Sequence, residues 1–159
     1  MSRFLTPDLT IITCGGKKRA SPAPAQYLYT GSFFKHQRRT AIRMQSKRWM
    51  ILSAKHGLLN PEEVIEPYNI RWGQTGEVTQ DKIAHQISTL NLNPQALIIS
   101  LGGAEYRTRI RAALHPDIPL YAPSLRLDSS SMGYQMAQMK SLQIYGGYPS
   151  HWLPQTIIK

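Results

Sequence analysis

The amino-acid sequence predicts a single-domain, three-layer α/β/α protein built on a mostly parallel sheet of about four strands. Three observations predict it: short apolar runs too brief for helices, amphipathic helical patterns between them, and regular alternation of the two along the chain. A β-α-β-α-β-α-β-α order needs crossovers that lie on the faces of the sheet, which leaves the strands covered on both sides.

The first strand is expected at Leu9 to Cys14 (LTIITC), rich in β-branched residues and stopped by Gly15 and Gly16. The Ser/Pro/Ala stretch from Ala20 to Gln26 reads as a loop rather than a domain linker. A helix is predicted over Gly31 to Gln45, with Phe34, Ala41 and Ile42 on one flank and Lys35, Arg38, Arg39 and Arg43 on another. Then come a strand at Trp49 to Ala54 (WMILSA), a helix at Thr79 to Leu90, and a strand at Ala96 to Leu101 (ALIISL). A helix at Glu105 to Leu114, a short strand at Ile118 to Ala122 and a helix at Met132 to Gln143 complete the pattern. The domain is expected to span 1–159, with its core in 8–143 and an aromatic, turn-rich tail over 144–159 that packs on the sheet edge or reaches a partner.

Charge is distributed unevenly. The formal net charge is +10, and residues 1–60 hold 11 Lys and Arg against one acid, Asp8, whereas the remainder balances eight against eight. No Asp or Glu occurs from residue 9 through 61, so no local salt-bridge ladder absorbs the cations on the first helix. A one-sided positive field favours encounter with polyanions and stores counterion-release affinity for phosphates. The single cysteine, Cys14, forbids an internal disulfide, and no Cys/His spacing resembles a zinc site. Neither a signal peptide nor a membrane span is expected, which points to a cytoplasmic protein with no membrane partner.

In open α/β sheets, ligands bind beyond the carboxyl ends of the strands, so the loops after the predicted strands carry the candidate chemistry. The first reads Cys14-Gly15-Gly16-Lys17-Lys18-Arg19, in which glycine backbone can approach a phosphate while the cations neutralise it. It has neither Walker nor dinucleotide spacing, and a tight turn with solvated lysines is the competing reading. The second loop, from Lys55 and His56 to Glu62, Glu63 and Glu66, sets a titratable base beside carboxylates, the pairing that general acid–base catalysis uses. Helix-opening glutamates and a structural histidine would give the same pattern. Tyr29, Tyr68 and Tyr106 offer faces for base stacking beside these cations.

The segments TCGGKKRASPAPAQYLYTGSFF, WMILSAKHGLLNPEEVIEPYN and ISLGGAEY resemble an uncharacterised domain family of phages and bacteria, over most of residues 8–143. More remotely, Gly57 to Tyr68 is similar to a Gly-Leu-Leu-x-Pro stretch of YaaA-type peroxide-stress proteins, a group that looks related to uracil-DNA-glycosylase-like α/β folds. That resemblance implies a glycosylase-like fold, puts the family carboxylate on Glu63 and the closing aromatic on Tyr68. It departs at Cys14-Gly15-Gly16-Lys17, where the water-activating Asp of uracil glycosylases has no counterpart.

Together these features lead to the expectation of a DNA-acting base glycosylase that accepts a modified base. Glu63 and His56 would be catalytic, while Gly15, Gly16, Lys17, Lys18, Arg19, Lys35, Arg38, Arg39, Arg43 and Lys55 hold phosphates. Neither metal nor cofactor enters this reading. The alternatives are a non-catalytic nucleic-acid-binding protein of phage or stress-response type, which binds without turnover, and an enzyme acting on a free nucleotide or nucleoside.

Overall fold

The computed structural model describes residues 4–122, 148–149 and 157–158. In chain order the strands and helices begin with β1 (Phe4–Leu5), β2 (Leu9–Thr13), β3 (Ala23–Pro24), α1 (Ala25–Leu28), α2 (Ser32–Arg43) and β4 (Arg48–Ser53). They continue through β5 (Gly57–Leu59), β6 (Val64–Ile65), α3 (Gln80–Ser88), β7 (Ile98–Ser100), α4 (Ala104–Ala113), β8 (Leu120–Tyr121), β9 (Tyr148–Pro149) and β10 (Ile157–Ile158).

The chain forms a mixed α/β structure around a mostly parallel sheet of order β10-β8-β7-β2-β4-β5. The four strands expected from the sequence, β2, β4, β7 and β8, are the parallel ones. The sheet has six strands rather than about four, because both edges gain an antiparallel strand. β5 is the return of a hairpin from β4, and β10 pairs with β8, so part of the tail completes a sheet edge. These pieces, three and two residues long, are too short to leave a periodic signal. Two small ribbons, β1 with β9 and β3 with β6, lie outside the main sheet. The helix predicted at Met132 to Gln143 lies outside the described residues.

Side-chain alternation sorts the core into two layers. Ile12 and Ile51 face the same side as Ile99 and Leu101, and there they meet Phe34, Ala41 and Met44 at α2. Leu9, Ile11, Met50, Leu52, Ile98 and Leu120 face the other side, against Ile83 and Ile87 of α3 and Ile110 and Leu114 at α4. Helices therefore cover both faces, as continuous apolar strands require.

β2 is the pivot: it pairs in parallel with β4 on one side and β7 on the other. The chain runs outward from β2 to β4 and then crosses back to β7, so the strand order reverses between β2 and β7. A crevice forms beyond the carboxyl ends of two such strands.

Candidate functional site

A cavity of about 470 Å³ opens at this reversal. The exit of β2 contributes Cys14, Gly15, Gly16 and Lys18, the exit of β4 contributes Ala54, and the start of α4 contributes Glu105 and Tyr106. The segment Asn69-Ile70-Arg71-Trp72 closes the remaining side.

Two buried glutamines hold the strand exits in place. Gln37, fully buried on α2, accepts from the Thr13 amide at 2.9 Å and the Thr13 hydroxyl at 3.1 Å, and donates to the Thr13 carbonyl at 3.3 Å. The Cys14 amide then donates to Leu52 O, which aims the next residues over the cavity. Gln86 on α3 accepts from the Leu58 amide and donates to the His56 carbonyl, clamping the β4–β5 turn in the same way. Gly102 has φ +98°, and a Cβ there would stand 2.5 Å from the Thr13 side chain, so the exits of β2 and β7 touch only because this residue is glycine. Buried Arg107 donates to Gly102 O at 2.9 Å and fixes the turn.

Gly15 and Gly16 are different. Neither has a positive φ, and a Cβ on Gly16 would meet nothing within 4 Å. No tight turn explains this pair, so the missing side chains leave backbone open toward the cavity. The loop folds back on itself, with the Thr30 amide donating to Lys17 O and the Arg19 amide to Leu28 O. α2 thus starts beside the glycines, and an added Gly15 Cβ would contact Phe34 of its first turn at 3.8 Å. The helices on either side of the reversal, α2 and α4, both begin after glycine without a side-chain cap, whereas Thr79 caps α3 through the Lys82 amide. Uncapped amides carry positive potential at a helix start.

Lys18 is half-buried at the cavity edge. Its ammonium lies 4.4 Å from the centre of the Tyr68 ring and 5.7 Å from that of Tyr29, with Gly16 O at 3.4 Å. Burial holds its pKa below the usual lysine range; Cys14 opposes the shift and Arg71 adds to it. Behind it, Tyr68 shares 2.6 Å hydrogen bonds with both Tyr29 and Ser53, and Ser53 Oγ accepts from the Lys55 and His56 amides. Burial, then Cys14, raise the pKa of both tyrosines, so they stay protonated.

The opposite wall is aromatic. Trp72 packs edge-on to Tyr106 with ring centres 5.6 Å apart, and the Arg109 guanidinium lies 4.1 Å from the centre of the Trp72 ring. Arg109 also reaches Glu105 at 3.6 Å and Glu77 at 3.8 Å. Tyr106 shares a 3.4 Å contact with Cys14 Sγ, and burial foremost raises its pKa. Arg71, presented by a turn in which its amide donates to Gln74, is exposed.

Of the residues expected from the sequence, Gly15, Gly16, Lys18 and Tyr106 line the cavity. Tyr68 and Lys55 stand behind Lys18, with Lys55 Nζ 5.8 Å from the centre of the Tyr68 ring, and His56 packs edge-on to Tyr68. Tyr29 is only 1% exposed and offers no face to a base; it supports the wall from the core. Glu63 is exposed, does not line the cavity, and turns its carboxylate to the Asn60 amide at 3.0 Å. Lys17 is exposed, Arg19 donates to Tyr27 O, and Arg38 donates to Gln26 O. Lys35, Arg39 and Arg43 lie on the exposed flank of α2. Sequence reading missed Arg71, Trp72 and Glu105, which flank recognised motifs, and both glutamines, whose roles come only from tertiary contacts.

Fold and cavity define a mixed α/β protein with a cavity, lined by Lys18, Arg71 and Glu105 among others, at the reversal of a mostly parallel sheet. The chain belongs to a family of unknown function, DUF6884, whose profile matches residues 9–141. It is also similar to the uncharacterised protein YfjM of Bacillus subtilis (strain 168), 32% identical over 116 residues that cover 67% of this chain and 76% of that protein. No solved structure matches. Among the described residues no helix is long and apolar enough to cross a membrane.

Proposed function

We propose that the cavity receives one nucleotide unit of a nucleic-acid strand, DNA in preference to RNA, and that the protein is a base glycosylase that hydrolyses the N-glycosidic bond of that unit, modified bases included. One observation carries the reading. The cavity has open glycine backbone and the cation Lys18 on one side and the Trp72–Tyr106 wall on the other. The first side suits a phosphate and the second the flat face of a base. Glu105, which lines the cavity, is better placed than Glu63 to stabilise an oxocarbenium-like sugar or to orient water. The remote similarity to YaaA-type and uracil-DNA-glycosylase-like proteins, with a parallel four-strand core, adds to this reading and extends it to a uracil-DNA-glycosylase-like fold.

The test is an abasic-site assay on oligonucleotides with unmodified, deaminated and oxidised bases and on phage DNA with hypermodified bases. Alkali-labile sites are expected, with Glu105→Gln slowing their formation about 100-fold or more and Glu63→Gln leaving the rate within a fewfold. Absence of abasic sites in every substrate overturns the glycosylase reading.

A second reading, a non-catalytic nucleic-acid-binding protein, is favoured by the ties that both carboxylates make: Glu63 with Asn60 and Glu105 with Arg109. It predicts salt-sensitive binding without turnover that survives both substitutions.

A further inference from the structure

Beside the cavity loop, a groove of about 590 Å³ runs along Arg19 to Pro24 and Tyr27. Tyr27 is one of three large hydrophobic side chains that stand exposed among the described residues, at 48%, and the other two are Ile42 and Val64. An exposed tyrosine ring is ordinarily loosely held, but here one arginine packs on the ring and another holds the residue's backbone. The Arg38 guanidinium lies 5.3 Å from its ring centre while donating to Gln26 O at 2.8 Å, and Arg19 Nε donates to the Tyr27 carbonyl at 2.7 Å. Both guanidiniums are hydrogen-bonded to backbone carbonyls rather than to carboxylates, and that of Arg38 stands beside the ring. Lys35, Arg38, Arg39 and Ile42 follow at helical spacing along α2. The fold brings Glu63 beside α1, where its carbonyl accepts from the Ala25 amide, yet among the described residues none of Arg19, Lys35, Arg38 and Arg39 forms an ion pair.

We propose that this groove is a track for a single-stranded segment flanking the nucleotide in the cavity, with one unpaired base stacked on Tyr27 and its phosphates along Arg19, Arg38, Lys35 and Arg39. The choice of a single strand follows from the ring: a preformed aromatic platform outside the cavity is useful only to a base whose face is free, and in a duplex that face is already stacked. Continuity with the cavity comes from the antiparallel pairing of Lys18 with Tyr29 and of Arg19 with Leu28, which runs Lys18 into the groove without a break. The proposal deepens the nucleic-acid reading above and rests on it, but not on catalysis.

Binding of a labelled thymidine-only strand of roughly 15 nucleotides, and of a blunt duplex of the same length, measures the effect for wild type, Tyr27→Ala and Tyr27→Phe. Tyr27→Ala is expected to weaken the single strand about tenfold, since stacking on one aromatic is worth that much or more. Tyr27→Phe is expected to stay within about twofold because it keeps the ring, and duplex affinity should not change. Wild-type affinity of Tyr27→Ala for the single strand overturns the proposal, as does equal loss on both probes or equal loss in the phenylalanine variant. Lys18→Ala separates the two ideas. If abasic sites never form and Lys18→Ala binds normally, the cavity reading fails while the Tyr27 result still decides the track.

Discussion

Gln37→Ala probes the link between fold and site, because one buried side chain holds the end of the central strand where the cavity begins. The substitution deletes three hydrogen bonds to Thr13. The Thr13 amide, inside the sheet, is left without this acceptor, and an unsatisfied buried polar group costs about 1–3 kcal/mol. Truncation also leaves a void beside Thr13 and under Gly102, whose hypothetical Cβ would lie 3.2 Å from Gln37 Oε1. Together the loss comes to about 3 kcal/mol. At about 2–4 °C per kcal/mol for a chain of this size, the melting temperature should fall by about 6–12 °C. Scanning calorimetry reads the shift, and urea unfolding should show a lower midpoint with an unchanged slope. Gln37→Glu keeps an acceptor for the amide but buries a charge, so it should destabilise more near neutral pH than in mild acid. A melting temperature for Gln37→Ala within about 2 °C of wild type refutes the clamp.

Gly102→Ala should cost about 2–4 kcal/mol, from a left-handed φ and a methyl driven into Thr13, and thermal unfolding checks it. Gly16→Ala should leave thermal stability unchanged, since its Cβ enters open space, while weakening oligonucleotide binding by narrowing the rim; unchanged affinity would count against a ligand at Gly16. His56 is held below its ordinary pKa by burial, then by Lys55 and Lys82, against an opposing pull from Glu63. With the folded pKa below the unfolded value of about 6.5, its contribution is present above that pH and is lost as pH falls through the unfolded and then the folded pKa. His56→Gln should therefore lose less stability than wild type between neutral and mildly acidic pH, as read by melting temperature against pH.

Most of the scaffold was legible because burial leaves a pattern. The parallel strands are unbroken apolar runs, and Phe34 and Ala41 of α2, or Ile83 and Ile87 of α3, mark buried faces at helical spacing. Short pieces were not legible: Ala25–Leu28, whose first two residues were expected as loop, forms one helical turn, β5 is a three-residue hairpin return, and β3, β6 and β10 exist through pairing partners distant in sequence. For the site, the glycines, Lys18 and Tyr106 were found because ligand loops follow parallel strands. Glu63 was drawn to it by its loop beside His56 and by the remote resemblance, and Tyr29 by its place beside the cations, but neither residue type reveals whether it will turn to a backbone amide or into the core. Gln37 and Gln86 carry no motif, and only the register of helix against strand gives them work.

The most direct test of the central claim follows Trp72 inside the cavity. A chain carrying Trp49→Phe and Trp152→Phe keeps this single tryptophan, and its fluorescence is titrated with a single-stranded oligonucleotide. If the cavity holds a nucleotide, emission is quenched saturably, the midpoint rises with salt, and Lys18→Ala moves it about tenfold higher. Emission that stays constant while the strand demonstrably binds would place the ligand elsewhere and contradict the account.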